Sequence, residues 1–90
     1  MLIFSKHASE RMAERGFSKD DVLAVIEGRD HPSLIFRSPQ DEAVDVYVGF
    51  VGTKHLFVPV NRRRRTVITV RPMRIKERRL YAERTKDEKA

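Results

Sequence analysis

At 90 residues and without cysteine, the chain is long enough for one domain and not two, and disulfides and thiolate metal sites are excluded. Hydrophobic residues make up 40% and charged residues 36%, the composition of a folded domain with a heavily charged surface and not of a disordered chain. Net charge is +6, unevenly placed: residues 61–79, NRRRRTVITVRPMRIKERR, hold nine of the 19 basic residues and one of the 13 acidic ones. Such a segment points to a polyanionic partner, nucleic acid first and an acidic protein second, or simply to a solvated face.

The opening MLIF is too short for a signal-peptide core, and no run approaches a membrane span, so a cytoplasmic protein without membrane contact is expected. Residues 5–28 read as two short helices in an angled hairpin. Ser5 is a candidate N-cap, and Gly16 stands where a left-handed C-terminal residue belongs. Phe17 then falls where it can touch Met12. Ser18 can cap the next helix, with Asp21 three residues on, and Phe17 can staple onto Val22. Val22, Leu23, Val25 and Ile26 recur at helical spacing, and Gly28 stops the run.

Pro32 bars continuation, and the period then changes to two. SLIFR is a short strand. VDVYVGFVG places Val44, Val46, Val48 and Phe50 on one face, and HLFVPV follows after a tight turn. Pro59 suggests an edge or a bulge. NRRRR is a turn, and TVITVR is the strongest strand former. Pro72 ends that strand, and a helix to about Arg84 follows. The expected fold is α+β: a helical hairpin packed on a four-stranded antiparallel sheet with a C-terminal helix. Residues 1–84 form the single domain, and 85–90 a flexible tail.

His7, Arg11 and Arg15 share one helical stripe, because residues four apart stack on one side. The positive helix end and Arg11 would both disfavour a charged His7, leaving a neutral imidazole able to act as a general base. Arg11 could hold a phosphate by two parallel hydrogen bonds. A base beside a phosphate clamp suits metal-independent cleavage at a ribose 2′-hydroxyl. The same stripe also fits a charged surface helix with arginines paired to Glu10 and Glu14.

In TVITVR, Thr69 and Arg71 should share a face opposite Ile68 and Val70. Arg71, Arg74 and Arg78 could form a cationic wall. Tyr81 could stack on a base, or it could anchor the core with an exposed hydroxyl. Arg62, Arg63, Arg64 and Arg65 suit contacts to a nucleic-acid backbone, or a soluble turn. His55 is either a general acid opposite His7 or an edge residue, and His31 is assigned no chemistry. The three histidines lack zinc-ligand spacing, and no phosphate-cradling loop or nucleophile elbow is present. No metal and no cofactor are expected.

The opening KHASERMAERGFSKDDVLAVIEG resembles a family of small bacterial domains of unknown function that begin with His-x-x-x-Arg-Met-x-x-Arg-Gly. His7, Arg11, Met12, Arg15, Gly16, Ser18 and Val22 match that opening, and Thr69, Val70, Arg71 and Pro72 match its close. That family is similar to the BrnT and RelE-like toxin ribonucleases, compact α+β proteins that cut RNA without metal and are silenced by a cognate antitoxin. RIKERRLYAE also resembles the basic, Tyr-containing close of BrnT-like toxins.

The resemblance implies an RNA-cleaving toxin with an acidic antitoxin partner. His7, Arg11 and Arg71 carry over because their positions match the motif, and their chemistry suggests His7 as the base, Arg11 and Arg71 as the clamps, and Thr69 as a supporting hydrogen-bonder. Arg15, Arg74, Arg78, Tyr81 and the turn arginines would position RNA. The alternatives are a non-catalytic nucleic-acid-binding regulator and a protein-interaction module using the basic C-terminal helix.

Overall fold

The computed structural model describes residues 1–85: Thr85, expected to open the flexible tail, is instead helical and buried, its hydroxyl donating to the Tyr81 carbonyl, and the rest of the expected tail lies outside the described residues. In chain order the elements are β1 (Ile3–Phe4), α1 (Lys6–Arg15), α2 (Lys19–Glu27), β2 (Leu34–Arg37), β3 (Val44–Val51), β4 (Lys54–Asn61), β5 (Thr66–Val67) and α3 (Ile75–Thr85).

The helical hairpin forms where its caps place it. The Ser5 hydroxyl accepts the Ala8 N–H at 3.0 Å, and Gly16 ends α1 at φ 73° with its N–H on the Met12 carbonyl. Ser18 and Asp21 form a complete capping box on α2, each side chain 3.0 Å from the other's backbone N–H. Lys54, at the start of β4, donates to Asp21 at 2.9 Å and to the Gly16 carbonyl at 3.1 Å, tying the helix junction to the sheet. Burial raises the Asp21 pKa, but the Ser18 N–H and Lys54 outweigh it, so the carboxyl sits below its ordinary value.

The sheet corrects the expected four antiparallel strands. It has five among the described residues, in the order β1-β5-β4-β3-β2, and it is mixed because β1 runs parallel to β5. The residues MLIF, too few to read as a strand, pair with β5 through Ile3 N–H to Arg65 O (2.8 Å) and Ser5 N–H to Val67 O (3.1 Å).

β5 also ends early. Val60 pairs with Val67, yet the next bridge joins Phe57 to Arg71, so four steps along the later segment match three along β4. The extra residue is a bulge in residues 68–70. It puts Val67 and Val70, three apart, both in the core, while Ile68 is 37% exposed. Ile68 and Val70 therefore do not share a face as the alternation of TVITVR suggests, because an inserted residue breaks the period of two.

Pro59 faces this bulge from β4, a central strand and not an edge. Its carbonyl accepts the Ile68 N–H at 3.0 Å, but it has no N–H to return. The Ser5 hydroxyl donates to the Ile68 carbonyl instead, at 2.9 Å.

The sheet is covered on both faces. Ala8, Met12, Val22 and Val25 of the hairpin pack on Leu56, Val58 and Val60 of β4 and on Val67 and Val70. Val44, Val46 and Val48 of β3, with Phe36, Phe50 and Phe57, pack on Met73 and Tyr81 on the other side. Each such buried aliphatic side chain is worth about 1.5–3 kcal/mol. Gly49 lets α2 approach β3: a Cβ there would lie 3.1 Å from Ser33 Oγ and 3.3 Å from Val25 Cγ1.

Candidate nucleic-acid interface

α1 carries its stripe at the surface, but its two arginines have separate partners. His7 is exposed. Arg11 is paired with Glu14 at 2.6 Å. Arg15 donates to the Val70 carbonyl at 2.8 Å, fixing α1 to the bulged segment.

Arg71 belongs to the opposite layer. Its guanidinium lies 3.7 Å from the centre of the Phe57 ring and grips Glu77 with two hydrogen bonds of 2.8 and 2.7 Å. Both side chains are 19% exposed. Glu77 also accepts the Arg74 N–H at 2.7 Å, at the start of α3. Burial raises the Glu77 pKa, but Arg71 and the Arg74 N–H outweigh it and hold the carboxyl below its ordinary value. Convergence of Arg71 with His7 would require it to leave both Glu77 and Phe57. Neither partner was legible in the sequence, because Glu77 lies across Pro72 and Phe57 arrives through strand pairing. Thr69 lies half-buried within the bulge.

The structure instead gathers two other histidines around Phe50. The His55 ring lies 5.8 Å from the Phe50 ring and the His31 ring 6.3 Å from it, both edge-on, with Tyr81 at 5.3 Å. His55 Nδ1 accepts the Met73 N–H at 2.9 Å, which leaves the proton of the neutral ring on Nε2. Burial, then the charge of Arg78, lowers the His55 pKa. The pairing of Phe50 with His55 across the β3–β4 hairpin could have been read from its two-residue turn, whereas the approach of His31 could not. Tyr81 is a core residue, 6% exposed, and its hydroxyl donates to the Pro32 carbonyl.

The turn arginines divide. Arg62 pairs with Asp45 at 3.1 Å and donates to the Glu42 carbonyl, and Arg63 lies 3.9 Å from Glu42. Arg64 and Arg65 are exposed and make no ion pair among the described residues, as holds for Arg74, Lys76, Arg78 and Arg79 on and before α3. No group of three or more His, Asp or Glu side chains that could hold a metal ion occurs among the described residues. No helix among them is long and apolar enough to cross a membrane.

Comparison with curated proteins and with solved structures finds no match. A family model does match: the domain of unknown function DUF4258, over residues 4–71. That span takes in both hairpin helices, all of β2–β5 and the bulge, and ends at Arg71, before α3. The chain therefore belongs to the DUF4258 family.

Proposed function

We propose that this protein acts on RNA as a metal-independent endoribonuclease, the toxin of a toxin–antitoxin pair related to the RelE and BrnT-like enzymes. The observation that carries the RNA reading is the set of exposed arginines and lysine in residues 61–79 that form no ion pair with a carboxylate among the described residues. A polyanion is the partner that such a surface attracts. In this reading His7 takes the 2′-hydroxyl proton from its exposed place in the first turn of α1, and Arg11 exchanges Glu14 for the scissile phosphate. Arg71 and Thr69 would support that step once Arg71 is released from Glu77. Arg64, Arg65, Arg74 and Arg78 hold the strand, and an acidic antitoxin would cover the same cations.

A second reading is favoured by a specific observation. Both proposed clamps are occupied, Arg11 by Glu14 and Arg71 by Glu77 in two hydrogen bonds. A regulator that binds RNA without cutting it needs neither clamp. Incubation of mixed-sequence RNA with the purified protein in excess EDTA separates the two. Cleavage lost in His7→Ala and in Arg11→Ala supports the nuclease. Salt-sensitive binding without products, with and without ribosomes, supports the regulator. Cleavage that survives His7→Ala in a folded protein removes His7 as the base.

A further inference from the structure

A cavity of about 580 Å³ opens between α3, the loop before β2 and the tip of the β3–β4 hairpin. Its walls include His31, Phe50, Gly52, Arg78, Tyr81 and Ala82. The volume lies in the range of small-molecule sites, about 300–1,000 Å³. Its chemistry is lopsided: aromatic rings, a guanidinium, and no carboxylate among the described lining residues, in a chain with 13 of them. Arg78 is exposed and unpaired with any carboxylate among the described residues, and the exposed His31 ring stands edge-on to Phe50. A ligand that satisfies both the rings and the guanidinium has a flat π-system and a negative charge. A nucleotide has both, since its base can lie against an aromatic surface while its phosphate meets arginine.

We propose that this cavity is a single-nucleotide site, with the base against Phe50 and His31 and the phosphate on Arg78. The occupant is one unstacked nucleotide of an RNA strand, and this assignment of source rests on the RNA reading above. The strand then leaves the cavity past the exposed cations of α3. A free nucleoside monophosphate offers the same chemistry and serves as the minimal probe. The site lies on the α3 face of the sheet and uses none of His7, Arg11 or Arg71.

Two titrations of the full chain followed by amide NMR test it, one with uridine and adenosine monophosphates and one with a single-stranded RNA hexamer. The expected result is that both probes shift the Gly52 and Ala82 amides. Arg78→Ala should weaken the mononucleotide at least tenfold, and His31→Ala several-fold. Ala82→Glu should abolish binding by placing a carboxylate in the cavity. Arg37→Ala, far from the cavity in β2, should leave it unchanged. All four positions are exposed, so the fold should survive, and an unchanged amide spectrum elsewhere checks this. If the hexamer shifts only residues 62–65 and α1, or if Arg78→Ala binds the mononucleotide as tightly as the parent, the nucleotide site is wrong while the RNA reading stands. If the mononucleotide occupies the cavity but the hexamer does not bind, the cavity assignment holds for a free nucleotide and the RNA reading fails.

Discussion

The hydroxyl of Ser5 donates to the carbonyl of Ile68 across 63 residues of chain, at 2.9 Å. Ile68 lies in the bulge opposite Pro59, which accepts the Ile68 N–H but has no N–H of its own to give to the ladder. The same hydroxyl accepts the Ala8 N–H, so one side chain starts α1 and repairs the sheet.

Replacing Ser5 by alanine should therefore cost more than losing a simple cap. Ser5→Ala is expected to lower stability by about 1.5–2 kcal/mol, a cap plus one solvent-exposed hydrogen bond, whereas Ser18→Ala should cost about 1 kcal/mol. Urea denaturation of both variants measures the difference. Equal losses would mean that the Ile68 bond contributes nothing.

Arg71 should behave as a structural residue in the free protein. Its pair with Glu77 is largely shielded and its guanidinium stacks on Phe57. Arg71→Ala should cost about 2–3 kcal/mol, and Arg71→Lys nearly as much, because an ammonium cannot reproduce two parallel bonds and a stacked plane. A stability curve unchanged by Arg71→Ala would show the contact to be incidental.

Stability should fall with acid over two pH windows. The fold favours neutral His55, whose pKa is lowered, so its contribution is complete above the ordinary value of 6.5 and declines as pH falls below it. Asp21 and Glu77 are also lowered, so their contributions are complete above their ordinary values of 3.8 and 4.5 and are lost as pH falls through the folded values. A series of melting temperatures from pH 8 to pH 3 should show both declines. His55→Gln should remove the first and keep the second.

Gly49→Ala tests the closeness of α2 to β3. The added methyl would meet Ser33 Oγ and Val25 Cγ1 at 3.1 and 3.3 Å, and the Ser33 hydroxyl is already held by the Val25 carbonyl. A loss of about 1–3 kcal/mol is expected from overpacking. A variant as stable as the parent would show that the helix can shift at no cost.

RNA binding, if electrostatic, should weaken linearly with the logarithm of salt concentration, by about 0.7 log units per phosphate contact for a single strand. Arg64→Ala should lower that slope by about one contact whatever the RNA sequence. An unchanged slope would remove the turn from the interface.

What the sequence determined alone was local. Ser5, Gly16, Ser18 with Asp21, and Gly28 act on backbone within four residues of themselves, and all four punctuate the helices as expected. The alternation of Val44, Val46 and Val48 marked β3 for the same reason, since side-chain direction along a strand follows from the backbone. The tertiary structure decided everything that depends on pairing across the chain. Ile3 and Phe4 become a strand only because β5 offers an open edge. Val67 and Val70 share a face only because a bulge opposite Pro59 absorbs one residue. The same bulge turns Arg71 toward Phe57 and Glu77 and away from the α1 layer. The spacing of His7, Arg11 and Arg15 was legible as a stripe, but the partner of each arginine was set by what the fold brought alongside it. His31, in a loop without periodicity, reached Phe50 by the same route.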